Sequence, residues 1–300
     1  CEEWLKYKEE QFEANRIKWS RVETLRGQVR KWIVPYFNSV VPNRKVSNIN
    51  RNTAVEYGMY RRQRTNNKVE DVTIRNEYTT LNAIIKYAGR NDYLPFERIN
   101  IEDITIRGDE IKRRDSFAPE EYRLFYQRLG KWAKESVDAH EEYMRTVLYN
   151  YCLLLANTLT RPGELRQIKW GMTKVIKVKT DDGKTEHLLR LHLPAKITKN
   201  NRERTVETRG GHYLNRIKEI SEFTKDDDFV FVNRLTNKNL TKSTFDKYWR
   251  QIREATNIER QTGKALTYYA LRHWCITARR DVTHPTLRSG KNGRNFCQIY

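Results

Sequence analysis

Two arginines, far apart in the chain, stand in surroundings that suit them to one anion. Arg161 lies in Thr158-Leu159-Thr160-Arg161-Pro162-Gly163-Glu164-Leu165, and Arg272 in Tyr268-Tyr269-Ala270-Leu271-Arg272-His273-Trp274. Between them, Lys199 follows Thr198 and precedes Asn200-Asn201. A guanidinium is a planar, permanently charged fork that bonds two phosphate oxygens at once, whereas an amine on a flexible stem can deliver a proton. Two such forks, with an amine between them in the chain, suit a phosphate held in a pocket. Either arginine alone reads as part of a solvated basic face. The pair, with Lys199 between them, points to a shared pocket.

The wider composition agrees with a phosphate partner. The 300 residues carry 58 Lys and Arg against 38 Asp and Glu, a formal charge of +20. The excess is spread along the chain, so the expected partner is a polyanion touched over a long surface, a nucleic acid. No apolar run approaches the ~20 residues that span a bilayer, and no signal-peptide pattern opens the chain, so no membrane partner is expected. Cys1, Cys152, Cys275 and Cys297 lack metal-site spacing, which implies free thiols in a reducing compartment. Asp226-Asp227-Asp228 reads as a solvated turn before an apolar stretch, and neither metal nor cofactor is expected. The chain opens on Cys, not Met, and is read as a piece of a longer product whose far end is also cut.

Helical spacing dominates the first third. Leu25, Val29, Trp32, Ile33, Tyr36 and Phe37 predict one helix closed by Pro42-Asn43, and Ala54 to Arg64 predict a second after Thr53. A third starts at Thr73 and buries Ile74, Tyr78, Leu81, Ile84, Ile85 and Ala88. Arg61, Arg62, Arg64 and Lys68, at a helix end and loop, are expected to touch DNA phosphates without base preference. Residues 105–116 read as a basic linker with Arg113 and Arg114 as further phosphate contacts. Pro119 with Glu120 and Glu121 then starts a new helix.

A helix through Val147, Leu148, Tyr151, Leu154, Leu155 and Leu159 delivers the chain to Arg161, where Pro162 and Gly163 break it and Glu164 to Ile168 restart a turn. Short strands follow at Lys174 to Lys179, His187 to Leu193 and Arg204 to Glu207, with Lys199 at the tip of the second hairpin. Phe229 to Val232 is a further strand or a buried connector. Ser243 or Thr244 caps a helix through Tyr248, Trp249 and Ile252. The last predicted helix carries Arg272 and buries Leu271 and Ile276.

The order Arg161, Lys199, then Tyr269-Ala270-Leu271-Arg272-His273 resembles that of the tyrosine recombinases, the phage integrase family. Residues 158–165 are similar to the family's first-arginine motif, although a Gly usually stands where Thr160 is. Residues 269–273 are similar to its His-x-Leu-Arg-His motif, with Tyr269 in the place of the first His. The resemblance implies a mainly α fold with a small antiparallel β-sheet. It implies a helical core-binding domain over residues 1–104, the linker, and a mixed α/β catalytic domain over 117–300, truncated at its C-terminus.

The resemblance also assigns expected roles. Arg161 and Arg272 would bind the non-bridging oxygens and Lys199 would be the general acid, with Lys196 as an alternative. Tyr269 would donate a hydrogen bond, although a phenol is a poorer proton relay near neutral pH than an imidazole. Glu164 reads as an orienting partner of Arg161 or a helix-start acid, not as a base. Arg202, Arg204 and His273 are expected at the DNA. The product would be a 3′-phosphotyrosine, made without a nucleotide cofactor, by an enzyme that assembles as a tetramer on paired sites in a bacterial cytoplasm.

The pattern breaks after Arg272. No Gly-His pair precedes the end, His284 lacks the right neighbours, and Tyr300 in Gln298-Ile299-Tyr300 is either the nucleophile or a helix residue with the true nucleophile beyond it. Three other readings stay open: a recombinase-like DNA-binding module without chemistry, a type IB topoisomerase-like enzyme, and a metal-dependent nuclease.

Overall fold

The computed structural model describes residues 1–104, 115–179 and 183–283, with 279–283 in main chain only. By its internal contacts the chain divides into two compact units, Cys1–Lys112 and Arg113–Tyr300. Most of the expected linker, Arg113 and Arg114 included, lies outside the described residues, as do His284 and Tyr300.

The first unit is helical: α1 (Glu2–Glu13), α2 (Trp19–Gln28), a π turn (Val29–Ile33), α3 (Val34–Val40), α4 (Tyr57–Arg64) and α5 (Asp71–Arg90). The single helix expected around Trp32 is therefore three pieces, because the wider π turn resets the register between α2 and α3. Its inward positions still face the core, with Val29 and Ile33 fully buried beside Leu25 and Tyr36. Helix α4 starts at Tyr57, later than the expected Ala54, and α5 starts at Asp71, earlier than Thr73. Gly58 is dictated by crowding: a Cβ there would lie 2.0 Å from Glu102 Oε2 and 2.9 Å from the Tyr78 hydroxyl.

The second unit is built around α7 (Ala139–Thr158), whose Val147, Leu148, Leu154 and Leu155 are fully buried. Helix α6 (Pro119–Lys134) packs on α7, and α8 (Pro162–Leu165) is the single turn after it. Strands β1 (Thr173–Lys179), β2 (Thr185–Leu193) and β3 (Arg204–Arg209) form one antiparallel sheet in that order, with Val175 opposite Leu189 and Leu191 opposite Val206. The alternation read in β2 holds: Leu189, Leu191 and Leu193 point into the core, as a half-buried strand requires. Helices α9 (Gly211–Ile220), α10 (Lys242–Thr256), α11 (Ile258–Thr262) and α12 (Tyr268–Thr283) complete the unit.

Two details differ from the sequence expectations, and one choice left open by the sequence is decided. The cap of α10 is Thr241, whose hydroxyl accepts the Thr244 N–H at 3.2 Å, because Ser243 and Thr244 already lie inside the helix. Phe229 to Val232 is a buried connector carrying only isolated bridges, Lys169 to Phe229 and Val232 to Asn239. Ile276 is 40% exposed while Leu271 is 1% exposed; α12 turns its inner face through Leu271 and Cys275, and Ile276 follows one residue round the helix.

Candidate active site

The first arginine is placed by the way α7 ends. Leu159 takes a left-handed conformation with φ 55°, costly for a residue with a Cβ, and the chain turns sharply out of the helix. Thr158 and Thr160 are both fully buried, their hydroxyls 2.7 Å apart, and the Thr158 hydroxyl also lies 2.8 Å from the Leu154 carbonyl. The hydroxyl pair gives Thr160 a satisfied place where the family pattern has Gly. Arg161 then begins α8, with Pro162 at its first position.

Glu164, 2% exposed, organises the surroundings. Its Oε2 accepts the Arg161 main-chain N–H at 3.0 Å and Arg204 Nη2 at 2.6 Å; its Oε1 accepts Arg161 Nη1 at 2.8 Å and the Lys199 main-chain N–H at 3.3 Å. Burial alone would raise its pKa. The bonds from Arg161 and Arg204 and from the Lys199 N–H outweigh burial and hold it down to about 2. One carboxylate thus ties together the start of α8, the hairpin tip and the start of β3. The sequence reading of Glu164 as an orienting partner fits this geometry.

The hairpin tip is closed by Thr198, 2% exposed. Its hydroxyl accepts the Arg202 N–H at 3.0 Å and lies 2.9 Å from the Arg202 carbonyl. Asn201 takes φ 51°, the turn chemistry expected of the Asn pair. Lys199 and Lys196 have exposed side chains.

Arg272 comes from α12, which packs against α7 and α8. It is half-buried, and its Nη1 is buried without a hydrogen-bond partner among the described residues. Burial first, and the neighbouring Arg161 second, lower its pKa. An unpaired guanidinium nitrogen is costly away from water and ready for an incoming anion. An open cleft of about 400 Å³ has Arg161, Arg202, Arg204 and Arg272 along its wall with Leu159, Thr198, Asn200 and Glu203. Four guanidiniums against one saturated carboxylate and Glu203 leave the cleft strongly positive. Tyr269 and His273 are half-buried on the same helix, Tyr269 one turn before Arg272.

The first unit requires a correction. Arg61 does not face solvent: it is 3% exposed, with its Nε 2.6 Å and Nη2 2.9 Å from the Glu77 carboxylate and its guanidinium 3.5 Å over the Trp32 ring. The Tyr57 hydroxyl donates to the same carboxylate at 2.8 Å. Arg61 is a core residue because α4 turns it towards α5. Arg62 is held by Asp71 at 3.0 Å and Glu102 at 3.1 Å, leaving Arg64 and Lys68 as the exposed cations of the set. Sequence reading passed over the outer face of α5, where Arg75, Asn76, Thr79 and Lys86 are exposed. Their spacing is the complement of the apolar stripe that identified the helix.

The aspartate loop is used internally. Asp228 accepts from the Lys225 N–H and from Asn237, and Asp227 pairs with Lys169 at 3.1 Å. Among the described residues no helix is long and apolar enough to cross a membrane, and Cys1, Cys152 and Cys275 form no disulfide with one another.

The sequence pattern of the phage integrase family matches residues 123–278, more than half of the chain and the part that carries Arg161, Lys199 and Arg272. The chain belongs to the phage integrase family. Among solved structures it is similar to the XerH site-specific recombinase bound to its difH substrate in a pre-cleavage complex. That match has a TM-score of 0.52 and 17% identity over 77% of this chain and 59% of the other. A post-cleavage complex of XerH on palindromic difH gives a TM-score of 0.49 and 17% identity, covering 71% and 58%. The chain thus spans 59% of the length of that recombinase. At such identity the likeness concerns the fold, mainly helical with a small three-stranded antiparallel sheet, as the sequence led one to expect. No curated protein matches the chain.

Proposed function

We propose that the chain is the DNA-gripping and strand-cutting part of a site-specific recombinase, an integrase of a phage or mobile element. It would act on double-stranded DNA in a bacterial cytoplasm and assemble as a tetramer on paired sites. The supporting observation is the cleft lined by Arg161 and Arg272 from distant segments, with a buried Arg272 nitrogen that has no hydrogen-bond partner among the described residues.

In this reading the two guanidiniums bind the non-bridging oxygens of the scissile phosphate and stabilise the five-coordinate transition state. A tyrosine oxygen, from Tyr300 or from beyond it, gives up its proton to solvent and bonds to phosphorus as the bond to the 5′ oxygen breaks. Lys199 protonates that leaving oxygen, and Tyr269 hydrogen-bonds to the phosphate. The phosphotyrosine ester retains the energy of the phosphodiester, so a 5′ hydroxyl of a second strand can reverse the step without a nucleotide cofactor. Arg202 and His273 flank the reacting phosphate, Arg113 and Arg114 contact neighbouring phosphates, and Arg64, Lys68 and the outer face of α5 hold the duplex backbone.

The test is covalent capture on a nicked duplex from which the cut strand's end diffuses away. The full-length gene product should give an adduct that survives denaturant and maps to a tyrosine, and Arg161→Ala and Arg272→Ala should abolish it. A second reading, DNA binding without cleavage, is favoured by Tyr269 in the usual place of a histidine. It predicts tight DNA binding with no adduct.

A further inference from the structure

The segment that enters the second unit is fastened to the loop that launches α12. Asp115 accepts the Ala265 main-chain N–H at 2.9 Å. Lys264 Nζ donates to the Ser116 carbonyl at 3.1 Å and to Glu121 at 2.5 Å. Glu121 also accepts the Ala118 N–H at 2.7 Å, closing the first turn of α6. At the next residue, the Tyr122 ring stacks on Trp274, centroids 4.5 Å apart and planes 16° from parallel. Trp274 stands two residues after Arg272.

We infer that Lys264 and Glu121 form a clasp that positions Arg272 by locking the chain's entry into this unit against the base of α12. Both partners are only about a quarter exposed, at 30% and 23% of the side chain, so the ion pair is shielded more than a surface bridge. The loop it grips has no regular structure from Gly263 to Thr267. Besides the Ala265 N–H on Asp115, it is held by the Leu266 N–H, bonded to Glu259 at 2.8 Å, and by the Leu266 carbonyl, which accepts Trp249 Nε1 at 3.0 Å. These fix the middle of the loop. Lys264 fixes its start, and Tyr122 fixes the first turns of the helix that follows. The arrangement parallels the first arginine: Glu121 and Glu164 each sit three residues after a helix cap, follow a proline, and take a cation from a distant segment. Glu164 aligns Arg161 and Glu121 aligns the helix of Arg272.

The inference rests on the proposed strand-cutting reaction for its activity arm, and on the fold alone for its other arm. Lys264→Met keeps the stem and removes the charge; Lys264→Arg keeps both. In the full-length protein, Lys264→Met should slow adduct formation on the nicked duplex roughly tenfold, as expected when a catalytic group is slightly misplaced. DNA affinity should stay unchanged and Lys264→Arg should restore the rate. Independently, amide exchange from Leu266 to Ala278 should quicken in Lys264→Met and not in Lys264→Arg. Wild-type adduct rate with wild-type exchange in Lys264→Met overturns the clasp. If the wild-type protein forms no adduct, the proposed function fails but exchange still decides: quicker exchange supports the clasp, and unchanged exchange overturns it.

Discussion

Glu164 accepts both the main-chain N–H and the guanidinium of Arg161, at 3.0 and 2.8 Å, so the first arginine of the cleft is held at two points by one carboxylate. Because the same carboxylate also takes Arg204, its charge is part of the scaffold. Glu164→Gln keeps the shape and removes the charge. It should cost roughly 2 kcal/mol of stability, from weakened bonds to two guanidiniums that keep partial access to water. Urea unfolding checks this, and a midpoint within error of wild type would show that the charge is dispensable.

The depressed pKa of Glu164 gives a signed pH dependence. Its folded value of about 2 lies below the ordinary 4.5, so the unfolded chain binds the proton more readily and stability from this group rises with pH in that window. The contribution is fully present above about pH 4.5 and is lost as pH falls through about 2. Between about pH 5 and about pH 3 the wild type should lose more stability than Glu164→Gln. Equal losses would mean other carboxylates carry the acid sensitivity.

Arg61 and Lys68, both first assigned to phosphate contact, should behave in opposite ways. Arg61→Ala strands the Glu77 carboxylate, 2% exposed, and should destabilise the first unit by about 3–5 kcal/mol. Lys68→Ala and Arg64→Ala should leave melting unchanged and each reduce the salt slope of DNA binding by about 1. Calorimetry and salt titration separate the two behaviours; a stable Arg61→Ala would refute the core role.

DNA affinity as a whole should fall steeply with salt. If about 8 phosphates are neutralised, log affinity against log salt should have a slope near −7. Fluorescence anisotropy across a range of salt concentrations measures it, and a nearly flat line would exclude an interface dominated by phosphates.

The sequence made the fold class and the order of the cleft residues legible, because both rest on local signals. Leu189, Leu191 and Leu193 alternate as a half-buried strand must. The helix starts at Pro119 and Pro162 are each followed at the third helical position by a glutamate that caps them. Legibility failed where a long-range partner decides. Arg61 looks like its neighbours Arg62 and Arg64 until α5 brings Glu77 against it. Ile276 looks as apolar as Leu271, but the twist of α12 carries it outward. The π turn at Val29–Ile33 leaves no mark on the apolar spacing, and the short α11 is too brief for one.

The most direct test of the central claim is the structure of this protein on a duplex containing its site. The account predicts that the guanidiniums of Arg161 and Arg272 lie within hydrogen-bonding distance of non-bridging oxygens on the same phosphate, with the Lys199 amine near its 5′ oxygen. Arg161 and Arg272 bound to phosphates of different nucleotides, or turned away from the backbone, would contradict it.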